Sequence, residues 1–184
     1  MATLRHARPH LLRRVLGPVL ALLSAVVLVL GAAPGASAAS RSFGDARGDG
    51  AADITRVTVR WAATLRVSVK HARALRDGDT YTAYVSTDPD RPGPEYRAFA
   101  QPNSDVLGVR RISSWGDRGR AVRCPGFRAS ADTFDADAPV TFSVPAGCLG
   151  GADGPVRVTA RAQRGSASDW APRARRLGPA VRQG

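Results

Sequence analysis

Carboxylates concentrate at three places in this chain, and they are where its chemistry would begin. Asp45, Asp49 and Asp53 fall in one loop-forming stretch, Asp45-Ala46-Arg47-Gly48-Asp49-Gly50-Ala51-Ala52-Asp53. Three negative groups so close repel one another, modestly in water, unless a cation collects them. Gly50 allows the sharp turn such a collection needs, while Arg47 supplies a positive charge that can pair with Asp45 or Asp49 instead. Asp88, Asp90 and Glu95 form a second group, and two acids flanking one bond are what a glycosidase requires. The prolines at 89, 92 and 94 read first as a solvated turn, because Asp and Pro favour turns for backbone reasons. Asp132, Asp135 and Asp137 read as a hairpin turn. His71 is the only histidine after residue 10 and reads as a surface residue following a strand. No serine sits in a G-x-S-x-G elbow that would make it a triad base.

Trp61, Trp115 and Trp170 divide by context. Trp61 shares a strand face with Val57 and Val59 and is expected in the core. Trp115 lies between Ser113-Ser114 and Gly116-Asp117, where the chain turns; it either stacks on a sugar ring or lids one end of the fold. Trp170 either plugs the sheet or contributes to binding. Cys124 and Cys148 are the only two cysteines. With no C-x-x-C spacing and one histidine nearby, they are expected to form a disulfide rather than a metal site.

The elements that must position these groups are strands. Val57, Val59 and Trp61 alternate with Arg56, Thr58 and Arg60, the period-two pattern of a half-buried strand. Leu65, Val67 and Val69 repeat it after a turn at Ala62-Ala63, and residues 81–87 follow the turn Arg76-Asp77-Gly78-Asp79. Residues 96–100, 106–113 and 120–124 are shorter candidates. Val140, Phe142 and Val144 alternate again, as do residues 156–162, and one helical turn is expected over 146–150. Turn residues recur at sandwich spacing. The expected fold is all-β: an antiparallel, jelly-roll-like β-sandwich of about eight strands with one disulfide.

The first 38 residues read as a cleaved signal peptide. Arg5, Arg8, Arg13 and Arg14 precede an apolar run from Val15 to Leu30, and Ala36-Ser37-Ala38 offers a signal-peptidase site. The run is short for the ~20 residues of a spanning helix, so no transmembrane anchor is expected after cleavage. Arg13-Arg14 leaves twin-arginine export open beside the general route. The β-sandwich domain is expected over 39–172, and 173–184 as a poorly ordered Arg/Pro/Gly-containing tail, like the first few residues after Ala38. The chain carries 27 basic and 15 acidic residues, a net +12; losing the leader's four arginines lowers it to +8. Lys70 is the only lysine, and the arginines are spread along the sequence. Specific nucleic-acid binding is therefore not expected, whereas attraction to an anionic wall polymer needs only net charge.

The Asp45–Asp53 loop resembles the calcium loops of dockerin and FG-GAP proteins. In those, oxygen ligands recur at the first, third, fifth and ninth positions. Asp45, Asp49 and Asp53 match the first, fifth and ninth, and Arg47 stands where an acidic or amide ligand belongs. That resemblance implies calcium. The opening loop, Thr87-Asp88-Pro89-Asp90, Val144-Pro145-Ala146-Gly147-Cys148 and Asp169-Trp170-Ala171-Pro172 together resemble a group of small secreted actinobacterial proteins of unassigned function. More distantly, the opening loop and strand pattern are similar to DOMON and family-nine carbohydrate-binding sandwiches, which implies ligand binding rather than catalysis. The sequence thus points to a secreted, non-catalytic module for a glycan or wall polymer, with Trp115 and Trp170 as ligand contacts. Two other readings stand beside it: a small extracellular hydrolase using the acidic turn, and a structural or inhibitor-like protein.

Overall fold

A computed structural model describes residues 39–50, 52–132, 135 and 137–184; the expected signal peptide lies outside the described residues. Two antiparallel sheets make a sandwich. The first has the order β1-β2-β3-β9-β8, from β1 (Ala39–Gly44), β2 (Ile54–Trp61), β3 (Thr64–His71), β9 (Val140–Pro145) and β8 (Arg128–Ser130). The second has the order β11-β10-β4-β5-β6-β7. It comprises β4 (Thr80–Ser86), β5 (Tyr96–Ala100), β6 (Leu107–Arg111), β7 (Arg120–Val122), β10 (Val156–Arg164) and β11 (Ala167–Ala171), with β12 (Ala180–Val181) pairing β10. A single 3-10 turn, Ala146–Leu149, follows β9.

Alternation explains which faces meet. Val57, Val59, Trp61, Leu65, Val67, Val69 and Phe142 point inward from the first sheet and are essentially inaccessible to solvent. Opposite them the second sheet presents Ala83, Ala98, Ala100, Ala160 and Ala162 between Tyr81, Val85 and Val158. Bulky side chains thus meet an alanine-rich face, so the two layers interdigitate at close-packed density. The Trp61 indole also donates to the Gly154 carbonyl at 2.8 Å, which satisfies its buried N–H.

Cys124 and Cys148 are bonded, with Cα atoms 5.3 Å apart and a separation of 24 positions in sequence. Cys124 follows the edge strand β7 and Cys148 lies in the turn after β9, so the bond ties one sheet to the other. Closing a loop of that length stabilises the fold by about 3 kcal/mol in the chain-entropy model.

Several expectations are revised. Among the described residues twelve strands form rather than about eight: the candidate over 120–124 is present as β7, and β1, β8, β11 and β12 are additional. Of these, β8 and β12 are three and two residues long and too short to show a period. The residues after Ala38 are not loose: β1 pairs along β2 from Ala39↔Trp61 to Gly44↔Arg56. The 173–184 segment is not a free tail either, since Val181 pairs Val156 and the Gly184 amide donates to the Trp61 carbonyl. His71 is buried rather than on the surface. Its Nδ1 lies 2.6 Å from the Arg73 carbonyl oxygen and its Nε2 lies 3.0 Å from that of Ala138. It ties the end of β3 to the loop before β9.

Candidate functional site

Two groups of side chains meet on β11, on opposite faces of one strand. Asp169 points toward the interior and is buried; Trp170, next in sequence, points outward and is half-buried.

The interior group is acidic. Asp45, Asp49 and Asp169 each offer a carboxylate oxygen, all within 4.8 Å of one another, and such a cluster can hold a metal ion. Asp169 also bridges the sheets, because its Oδ2 accepts from the Ile54 amide at the start of β2 at 2.5 Å. Its Oδ1 accepts from the Trp170 amide at 2.7 Å. Burial pushes the Asp45 carboxyl up from its ordinary 3.8 to about 6, assisted by the charges of Asp169 and Asp49 and opposed by the Ala46 amide. Asp169 is raised as well, by burial first and then by Asp49 and Asp53, against the amides of Ile54 and Trp170. Asp45 Oδ2 is buried and has no hydrogen-bond partner among the described residues. Desolvated acids in repulsion favour protons or a cation over free negative charge.

The loop reaches this geometry through its glycines. Gly48 sits at φ +86°, and its amide donates to both oxygens of Asp53 at 3.0 and 2.9 Å. Asp53 is therefore a buried brace inside the loop, and Asp169 stands in the third position expected for it. A Cβ on Gly50 would lie 2.4 Å from the Asp169 Cβ, so only glycine lets the loop close on β11. Arg47 forms no ion pair with Asp45 or Asp49; it lines a recess with Thr55, Arg56 and Lys70. Asp169 was missed because it is remote in sequence. Its one local signal is an acid at an inward position of β11, between Ala167 and Ala171.

The outer group is aromatic. Tyr84 of β4 stacks on Trp170 (centroids 5.4 Å apart, planes at 18°). Trp115, from the loop between β6 and β7, lies 5.2 Å from Tyr84 and 5.9 Å from Trp170. The Arg161 guanidinium sits 5.2 Å from the Trp170 ring centre. Tyr84 is buried beneath the two tryptophans, on the sheet face that points away from the core. The structure thus brings together Trp115 and Trp170, which lie far apart in sequence.

The acidic turn is held as a turn. Glu95 is buried; its Oε2 accepts from the Thr87 amide at 2.7 Å and the Asp88 amide at 3.3 Å, and Arg91 lies 3.7 Å from Oε1. Asp88 Oδ1 accepts from the Asp90 amide at 2.9 Å, a local Asx turn. Asp135 and Asp137 lie in the connection between β8 and β9, where the Asp137 amide donates to Asp135 Oδ1 at 2.9 Å. Among the described residues no helix is long and apolar enough to cross a membrane, and the disulfide suggests an oxidising compartment. No family model, curated protein or solved structure matches the chain.

Proposed function

We propose that this protein is a secreted, non-catalytic binding module that grips a glycan or wall polymer of the cell envelope through its outer aromatic cluster, with calcium bracing the strand beneath. The observation that carries this reading is the Tyr84–Trp115–Trp170 cluster. Outward positions of a sandwich are ordinarily polar, and three aromatic side chains gathered on such a face form an apolar patch of the kind that marks an interaction site. The apolar faces of sugar rings stack on such rings, with nearby polar groups fixing orientation. Both tryptophans pack on Tyr84 and on each other, but Trp170 also carries the Arg161 guanidinium against its ring, so Trp115 is the ring offered to a ligand and the other two support it.

Calcium would serve the platform indirectly. Asp45, Asp49 and Asp169 supply hard oxygen ligands of the kind calcium takes. A cation there would relieve the repulsion among them and stiffen β11, which carries Trp170.

The test is retention of the mature domain on purified wall polymers and glycans, with calcium present. Trp115→Ala should lose retention and the intrinsic fluorescence change that accompanies it. Its melting temperature should fall by only a few degrees, because the ring's two aromatic contacts contribute about 0.5–1.5 kcal/mol each. A variant that binds as well as the parent would refute the platform, and one that unfolds would show Trp115 to be core.

A further inference from the structure

The arginines that the sequence spreads out are gathered by the fold. Arg91, Arg97, Arg110, Arg111, Arg118 and Arg120 all belong to β5, β6, β7 and their flanking loops, at one edge of the second sheet. Two of the pairings there are unfavourable as they stand. Arg97 faces Arg110 across β5 and β6, and Arg111 faces Arg120 across β6 and β7. Like charges directly opposite one another destabilise a sheet. Arg97 and Arg110 share neutral partners: both donate to the Arg118 carbonyl, at 2.9 and 3.2 Å, and both lie 5.8 Å from the Phe99 ring centre. Arg111, Arg118 and Arg120 have no acidic partner among the described residues.

These three line, with Arg91, Ser113 and Asp117, an open recess of about 590 Å³. Asp117 does not neutralise it, because its carboxylate is already used. Oδ2 accepts from the Ser113 amide at 2.9 Å and the Ser113 hydroxyl at 2.7 Å, and Oδ1 from the Gly119 amide at 2.8 Å. Those bonds set the shape of the loop that carries Arg118. Gly119 sits at φ +65°, and a Cβ there would lie 2.4 Å from the Arg111 carbonyl oxygen. The loop can therefore fold against β6 only with glycine at this position, and that fold holds Arg118 and Arg120 beside Arg111. The loop is the one that carries Trp115, three residues before Arg118.

We propose that this recess binds the phosphate groups of an anionic polymer whose backbone is built from phosphodiesters. The charge arithmetic favours such a ligand, since three guanidinium groups without an acidic partner among the described residues, beside Arg91 that is engaged by Glu95, face one internally satisfied carboxylate. A single carboxylate sugar would leave most of that charge unmatched, whereas successive phosphates meet it, and arginine forks bind phosphate oxygens in pairs. Among the described residues no aromatic side chain lines the recess, so it offers bases no stacking surface of its own; a backbone without bases is the better fit. The source of the polymer, the envelope outside the cell, rests on the function proposed above. The phosphate chemistry rests on the recess alone.

The experiment is a titration of the mature domain with poly(glycerol phosphate) of about ten repeats, at several salt concentrations. Comparison arms use inorganic phosphate, polyglutamate of equal charge and single-stranded DNA with the same number of phosphates. The wild type should prefer poly(glycerol phosphate). The Arg111→Ser/Arg120→Ser variant should bind it at least tenfold more weakly, with a salt slope lower by about 1.4 for two lost phosphate contacts. In low salt without any anion that variant should melt no lower than wild type, because a like-charge pair has been removed. Inorganic phosphate should raise the wild-type melting temperature and leave the variant's unchanged. Equal binding by the variant, or equal binding of polyglutamate, would overturn the proposal; tighter binding of DNA would replace it with a nucleic-acid site. Trp115→Ala separates the two readings. Polymer binding kept by that variant and lost by the arginine pair supports the recess and counts against the aromatic platform. The reverse pattern overturns the recess and leaves the platform standing.

Discussion

Replacing Arg164 with Met should unseat the hairpin that carries both Asp169 and Trp170. Asp79, in the turn before β4, is wholly buried. Arg164, at the end of β10, meets it with two parallel bonds, Nε to Oδ1 and Nη2 to Oδ2, both 2.7 Å. The Arg76 amide adds a third at 2.9 Å. Burial pushes the Asp79 carboxyl up, but the Arg164 fork, the Arg76 amide and both arginine charges outweigh it and hold it below its ordinary 3.8. Removing one partner of a buried pair costs about 3–5 kcal/mol, since the remaining charge is stranded. The Arg164 side chain is 20% exposed, so water can reach the pair and the lower end, about 3 kcal/mol, applies. For a domain of this size that is a fall of about 10 °C in melting temperature near pH 7.

The pH dependence carries the sharper test. In the wild type a depressed Asp79 contributes stability that is present above about pH 4 and is lost as pH falls through the folded value. In Arg164→Met the stranded carboxylate instead prefers a proton, so its penalty shrinks as pH falls. The two melting curves should therefore converge below about pH 4 and separate most at neutrality. Thermal melts followed by circular dichroism from pH 3 to 8 provide the measurement, with Asp79→Asn/Arg164→Met melting above the single variant as the control. A single variant within 2 °C of wild type at pH 7, or a gap that stays constant down to pH 3, would refute the reasoning.

Other perturbations read other parts of the structure. Calcium at ten times its dissociation constant should add about 1.4 kcal/mol, a rise of about 3–6 °C that Asp169→Asn abolishes and Asp53→Asn, which leaves the clustered oxygens in place, does not abolish. In chelator, Asp45 binds its proton more tightly folded than unfolded, so the stability it contributes below about pH 4 should be lost as pH rises through about 6. The benefit of calcium should accordingly be larger at pH 7.5 than at pH 5, as melting curves at the two values will show. Gly50→Ala should weaken the calcium response by forcing the loop off β11, read by the same melts. Cys124→Ser/Cys148→Ser should melt about 10 °C lower, matching the ~3 kcal/mol of loop entropy, and non-reducing peptide mapping should find the two cysteines joined in the parent.

The strands were legible in the sequence wherever alternation ran long enough. Val57, Val59 and Trp61, then Leu65, Val67 and Val69, then Val140, Phe142 and Val144 each name their own inward face, because side chains alternate across a strand whatever its neighbours do. The cysteine pair was legible for a compositional reason, and the single turn at Ala146–Leu149 from its local residues. The shortest pieces were not: the two or three residues of β8 and β12 carry no period and exist only because a longer strand offers an unpaired edge. Tertiary structure alone decided the sites. Asp45 and Asp49 found their third carboxylate in Asp169 because the hairpin of β10 and β11 brings it against the opening loop, while Asp53 turned inward to hold the Gly48 amide. Trp115 and Trp170 met over Tyr84, and arginines scattered along the chain became facing pairs, because strand register places residues opposite one another without regard to their distance in sequence. Local chemistry sets which face a residue takes. Only the pairing of distant strands sets what it meets there.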